Sequence, residues 1–294
     1  MYDFDKVVDR RGTSSIKWNV QWDFGQKDGL LPFWIADTDF ASEPKILEAM
    51  KKRCDHPIFG YADPWDSVYD AIQGWWDRRH GFHAEKDWMF ISSGVVTNIY
   101  LLSDEVHADY ALTRNYTTLG KFPEIYDKLI IYTAISKSFN MAGLVSSCLI
   151  IPNVELKKQV VADFESRWMF GPCDLAFTAM EAAYTYGDTW MDEARAYVKA
   201  NADATEKFIA ERMPKVQVTK HEGTFLMWLD MNCYGLTSEK ITEILAKEYG
   251  VALGDGSHYG KEAEGFMRFN IGCARETLMK GLELMAAMYD KYVK

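Results

Sequence analysis

The chain is poor in cysteine, short of basic charge and without long apolar runs, and each shortage excludes something. Its five cysteines, Cys54, Cys148, Cys173, Cys233 and Cys273, are scattered, odd in number and never spaced as C-x-x-C. That argues against a disulfide framework and against a structural zinc, and points to a reduced, cytoplasmic protein. Lys and Arg number 33 against 43 Asp and Glu, a net charge of −10. This is the wrong sign for nucleic acid as main partner, because phosphate binding wants a basic face. The excess acid reads as a solubility feature. No run approaches the length of a membrane span. The N-terminus, Met1-Tyr2-Asp3-Phe4-Asp5-Lys6, is charged and lacks the apolar core of a signal peptide. Repeats and low-complexity linkers are absent too.

What is present is core material: 48% of 294 residues are hydrophobic, with 16 Tyr, 16 Phe and 10 Trp, enough for one large domain or two ordinary ones. Ser42-Glu43-Pro44 opens a helix with a capping residue and an early proline, and an amphipathic helix follows from about 65 to 79. Residues 88–96, 98–103, 129–135 and 145–151 read as strands. Helices return near 157–166 and 174–184, and a long polar amphipathic stretch covers 189–212. Beyond it come strands at 216–218, 224–230 and 265–271, a helix from Ser238 to Tyr249 and a closing helix. The pattern is an α/β layer followed by a compact α+β layer. A large domain is expected over 46–190, with 1–45 and 191–294 forming a small one. The runs 88–96 and 98–103 meet without a connection. Parallel neighbours need a crossover of about a dozen residues, and no Asn-Gly-type turn marks a hairpin, so either they are not neighbours or a segment is missing at 96/97.

Two of the apolar runs stop at charged residues: Leu101-Leu102-Ser103-Asp104 and Ile130-Ile131-Tyr132-Thr133-Ala134-Ile135-Ser136-Lys137. In open α/β sheets chemistry sits at the carboxyl ends of strands. A carboxylate and an amine placed there suit pyridoxal phosphate (PLP), the lysine forming a Schiff base and the acid keeping the pyridine nitrogen protonated. The plainer alternatives are a lysine snorkelling at a strand end and an acid that begins a loop or caps the next helix.

Eight segments in order carry a resemblance: Phe33-Trp34-Ile35-Ala36-Asp37-Thr38-Asp39-Phe40, Phe59-Gly60-Tyr61-Ala62-Asp63-Pro64, Ser93-Gly94-Val95-Val96, Ser103-Asp104-Glu105-Val106-His107, Ser136-Lys137-Ser138-Phe139-Asn140-Met141-Ala142-Gly143-Leu144, Ala182-Ala183-Tyr184-Thr185-Tyr186-Gly187-Asp188, Gly223-Thr224-Phe225-Leu226-Met227-Trp228-Leu229-Asp230 and Met267-Arg268-Phe269-Asn270-Ile271-Gly272-Cys273. Together they resemble the MalY/PatB branch of fold-type I PLP enzymes, the cystathionine β-lyase-like members of the class I/II aminotransferase family. The resemblance implies an α/β large domain with a mainly parallel sheet, a smaller α+β domain, and a homodimer with shared active sites. The family also carries a long central segment, after the position of Val96, that this chain lacks. It holds the ring that stacks on the cofactor and an Asn that contacts the cofactor hydroxyl.

By the same resemblance Lys137 is the Schiff-base lysine and moves the α-proton, Asp104 pairs with the pyridine nitrogen, and His107 lies near the cofactor hydroxyl. Gly94, Val95 and Ser136 are phosphate candidates: a glycine turn opening a helix offers free amides, though an ordinary strand exit reads the same way. Val145 stands where the wider family often has an arginine. Tyr61 fits a tyrosine that reaches the neighbouring subunit's phosphate, or else a packed aromatic beside a turn. Arg268 matches the arginine that grips the substrate carboxylate with its planar fork, with Arg275 the more ordinary surface-strand arginine. Ala36 and Asp37 line the substrate side through their backbone, and no metal is implied. The expected activity is a PLP-dependent carbon–sulfur β-lyase acting on cystathionine or a related cysteine conjugate, giving thiol, pyruvate and ammonia. The rivals are an aminotransferase, which would need a keto acid acceptor, and a non-catalytic regulatory protein that keeps the fold.

Overall fold

A computed structural model describes residues 1–13, 15–18, 30–56, 62–92, 101–114, 116–166 and 172–293. By internal contacts the chain divides into a continuous unit, 42–193, and a split unit, 1–41 with 194–294. A two-residue strand, β1 (Leu31–Pro32), lies in the split unit.

The continuous unit opens with α1 (Pro44–Cys54), where the cap is Glu43 rather than Ser42. The Glu43 carboxylate accepts the Ile46 amide at 3.1 Å, and Pro44 fills a first-turn position that needs no donor. Helix α2 (Asp66–His80) buries Val68, Ile72, Trp75 and Trp76 along one face. It stops at Gly81, whose φ of 59° is a left-handed value that glycine adopts without strain. Four strands follow: β2 (Met89–Ser92), β3 (Leu101–Asp104), β4 (Leu129–Thr133) and, after the one-turn helix α3 (Ile135–Ser138), β5 (Ser147–Ile150). Their order is β2-β5-β4-β3. β3 and β4 are parallel, with Asp104 opposite Tyr132, and β5 runs antiparallel to both its neighbours. The described sheet is therefore mixed, and its parallel character rests in β3–β4. β2 and β3 stand at opposite edges of the described sheet, so they are not neighbours there; residues 93–100, where the two runs meet in sequence, lie outside the described residues.

Helix α4 (Val154–Ser166) starts where Asn153 Oδ1 accepts the amides of Glu155 and Leu156. It lays Leu156, Val160 and Phe164, spaced four apart, on Ile130 and Leu149 of the sheet and on Ile151 just past β5. Each such side chain contributes about 1.5–3 kcal/mol by burial. Helix α5 (Asp174–Tyr186) is apolar on most sides because α1 and α2 both pack on it.

The boundary between the units falls inside α6 (Asp188–Arg212). After it come β6 (Gln217–Val218), β7 (Leu226–Asp230) and α7 (Ser238–Ile244), the last extended by a wide π turn over Leu245–Tyr249. Then come β8 (Val251–Ala252), β9 (Gly254–Asp255), β10 (Phe266–Asn270) and α8 (Arg275–Tyr292). β6-β7-β10-β9 form an antiparallel sheet, and β8 pairs in parallel with β1. The period-two alternation of β7 and β10 buries Met227, Leu229, Met267 and Phe269 on one face. Phe33 packs edge-on against Phe269 at 4.9 Å, and Phe33 O accepts the Asn270 amide at 2.9 Å. The N-terminal segment is thereby tied to β10.

Candidate active site

Asp104 and Lys137 lie at the carboxyl ends of adjacent parallel strands. β3 ends on Asp104 itself. β4 ends at Thr133, the last residue with a partner on β5, and the chain turns into α3, so Lys137 stands in a single helical turn and not on the strand. Within that turn Ile135 and Ser138 are buried while Ser136 and Lys137 are half-buried, which sets the latter two on the outward side. Phe139 follows with no exposure and packs between the Trp75 ring, at 5.4 Å, and the Trp190 ring, at 5.6 Å. Asp104 is exposed. Its Oδ1 accepts the Val106 amide at 3.2 Å. His107 is half-buried at the start of a short turn over Ala108–Tyr110. The parallel pairing therefore puts the chain segments that follow β3, with Asp104 and His107, and β4, with Ser136 and Lys137, at the same end of the described sheet. Gly94, Val95 and Tyr61 lie outside the described residues.

Behind this end is a buried polar group that sequence reading did not single out. Asp109, 8% exposed, accepts Ser138 Oγ at 2.6 Å on one oxygen. The other oxygen takes Trp75 Nε1 at 3.1 Å and the His80 Nε2 at 3.0 Å. Burial pushes the Asp109 carboxyl up, but the His80 ring, the Ser138 hydroxyl and the Arg79 charge outweigh it and hold the carboxyl below its ordinary range. Glu105, beside Asp104, goes the other way. Burial raises its carboxyl despite hydrogen bonds from Thr118, Ser103 and the Leu119 amide.

The split unit holds the second group. Arg268 sits on the face of β10 opposite the core, paired with Trp228 on β7 and Gly254 on β9. Its Nη2 donates to Trp34 O at 2.8 Å and its guanidinium lies over the Tyr259 ring at 5.1 Å. Its Nε is buried with no hydrogen-bond partner among the described residues. A buried donor left open is costly, and a carboxylate is the acceptor that matches its planar fork. Asn270 donates to the carbonyls of Ile35 and Asp37 on either side of Ala36, which fixes that backbone beside Arg268. The Asp37 side chain is taken up by Arg10 at 2.8 Å and Lys17 at 3.4 Å. Asp39 accepts from Arg10 at 2.8 Å, Lys17 at 2.9 Å and Trp18 Nε1 at 2.9 Å. Lys17 is 1% exposed, a buried amine that its polar sequence context does not signal. Arg275, expected on a surface strand, instead opens α8 and donates to Asn201 Oδ1 at 2.8 Å.

Residues 84–284 match the family of class I and II aminotransferases, and the chain belongs to that family. It is similar to cystathionine beta-lyase PatB of Bacillus subtilis (strain 168), 29% identical over 384 residues, covering 97% of this chain and 99% of the relative. It is also similar to Protein MalY of Escherichia coli (strain K12), 26% identical with 96% and 97% covered. An alignment of 384 positions against 294 residues requires a long stretch in the Bacillus relative with no counterpart here. Among solved structures, a PLP-bound protein of Clostridium difficile 630, named for an aminotransferase, superposes with a TM-score of 0.93 at 25% identity, covering 98% of this chain and all of that one. Cystalysin of Treponema denticola, which contains PLP, gives 0.93 at 19% identity with 99% of each covered, a likeness of fold. The fold is that of fold-type I PLP enzymes. Among the described residues no helix is long and apolar enough to cross a membrane, and no group of His, Cys, Asp and Glu is arranged to hold a metal ion.

Proposed function

We propose that the protein is a PLP-dependent carbon–sulfur β-lyase that cleaves cystathionine or a related cysteine conjugate to thiol, pyruvate and ammonia. The observation that carries this reading is that Asp104 ends β3 while Lys137 stands in the turn just beyond the parallel neighbour β4, in a chain similar along nearly its whole length to a cystathionine β-lyase. The residues fit the cofactor. An exposed carboxylate with one oxygen tied to the Val106 amide can meet a pyridinium N–H with the other, and a half-buried amine in a fixed turn can meet an aldehyde. Bound PLP supplies an electron sink for the substrate's α-carbon.

The chain's own residues have separate tasks. Lys137 attaches the cofactor and, once released, takes the α-proton on Nζ. Asp104 holds the proton on the ring nitrogen by a charge-assisted hydrogen bond. Arg268, with its Nε open, takes the substrate's α-carboxylate, and the backbone at Ala36 and Asp37, clamped by Asn270, lines the substrate side. His107 faces the cofactor hydroxyl. Gly94, Val95 and Ser136 hold the phosphate, and Tyr61 reaches it from a second copy in a cytoplasmic homodimer. Residues 46–190 act as the cofactor-binding domain and 1–45 with 191–294 as the smaller one.

Incubating the chain with PLP and cystathionine and measuring pyruvate tests the reading. Pyruvate and ammonia released without an added keto acid support the lyase. A strict need for a keto acid acceptor would establish the rival aminotransferase.

A further inference from the structure

We infer that Asp109 is a positioning residue for Lys137, acting through the hydroxyl of Ser138, with His80 and Trp75 fixing the Asp109 carboxylate. The inference rests on Lys137 being the residue that attaches PLP.

Helix α3 has a single turn, closed by the Phe139 amide on Ile135 O at 3.0 Å. A four-residue helix is not stable by itself, since nucleation is costly and propagation too short to repay it. Its orientation must come from side chains. Phe139 supplies an apolar anchor, but ring contacts at 5.4–5.6 Å do not fix the turn about its own axis. The Ser138 hydroxyl supplies that restraint. It is buried and donates at 2.6 Å to one oxygen of Asp109, the short distance of a hydrogen bond to a charged acceptor.

The acceptor is itself held from two directions. Trp75 Nε1 and His80 Nε2, both on α2, converge on the other Asp109 oxygen at 3.1 and 3.0 Å. The His80 Nδ1 is buried with no hydrogen-bond partner among the described residues, so Nε2 is the ring's tie and Asp109 is its target. All four side chains are buried. A carboxylate buried this deeply is costly unless every lone pair is used, and here both oxygens are engaged by neutral or ring donors rather than by a lysine or arginine contact. The arrangement thus locks the residue next to Lys137 to a rigid helix, and leaves the Lys137 side chain on the outward side of the same turn. Positions held this way keep a reacting amine within the narrow geometry that attack on a carbonyl requires.

The test compares the wild type with Ser138→Ala, Ser138→Thr and Asp109→Asn. Each is mixed with pyridoxal 5′-phosphate, and attachment to Lys137 is trapped over time with borohydride and read by peptide mass. Thermal midpoints are recorded alongside. Ser138→Ala should slow attachment about tenfold, the loss expected for one such hydrogen bond. Ser138→Thr, which keeps the hydroxyl, should restore it, and Asp109→Asn should slow it in the same direction. If Asp109→Asn does not fold, the Ser138 pair decides. In turnover the Ala variant should lose kcat with KM held within about twofold. Attachment by Ser138→Ala at the wild-type rate overturns the inference, as does equal slowing by Ala and Thr. Failure of the wild type itself to attach PLP at Lys137 defeats the functional reading instead, and the Lys137→Ala control separates the two.

Discussion

Asp39→Ala probes the buried ion cluster of the split unit. In the wild type the Asp39 carboxylate accepts three hydrogen bonds, from Arg10, Lys17 and Trp18. Its loss leaves Asp37 as the acid facing both cations, 2.8 Å from Arg10 and 3.4 Å from Lys17. Arg10 is partly exposed and can recruit water. Lys17 cannot, because it is 1% exposed, so its ammonium is left under-compensated inside the protein. Breaking a buried pair from one side costs about 3–5 kcal/mol, and the Trp18 donor adds to the upper end. The assay is urea denaturation followed by tryptophan fluorescence on wild type, Asp39→Ala and the double variant Lys17→Met/Asp39→Ala. The single variant should lose about 3–5 kcal/mol. The double variant should recover at least about 1 kcal/mol, because it removes the stranded charge as well. A loss under about 1 kcal/mol for Asp39→Ala, the figure for an exposed ion pair, would refute the reasoning.

Two further predictions concern single positions. Glu105 has its carboxyl raised by burial, so its contribution to stability is present in full below the ordinary value of 4.5 and is lost as pH rises through the folded-state value. Glu105→Gln should therefore be more stable than the wild type at neutral pH, and a pH series of thermal midpoints should show the difference closing in acid. Val145 is 61% exposed and left-handed, at φ 47°, a conformation that β-branched residues resist. Val145→Gly should raise stability by about 1 kcal/mol, read as a higher thermal midpoint.

The parts of the fold legible in the sequence are those set by local pattern. Strand β4 follows from five successive strand-forming residues, and α5 from an apolar run between Asp174 and Gly187. β4 ends two residues before the pattern predicts because Ala134 and Ile135 suit a strand as well as a turn, and only the lack of a partner on β5 ends the ladder. Arg268 was legible as a charge in an alternating strand. The groups around it were not: Asn270 clamps residues more than two hundred positions away, and nothing local to Lys17 or Asp39 signals that they pair across 22 positions. Asp109 and His80 carry no local signal for a related reason. His80 follows Arg78 and Arg79 at a helix end, where a basic residue is ordinarily explained by the helix dipole. The wide turn after α7 and the pairing of β1 with β8 are likewise tertiary outcomes without a local signal.

The central claim is that Lys137 performs carbon–sulfur bond cleavage with PLP. It is tested most directly by pyruvate release from cystathionine, without keto acid, by the wild type and by Lys137→Ala in excess PLP. The wild type should release pyruvate, and the variant should fall by at least about 10³-fold in kcat, since it loses both cofactor attachment and the proton-moving amine. Release by Lys137→Ala at the wild-type rate would contradict the account.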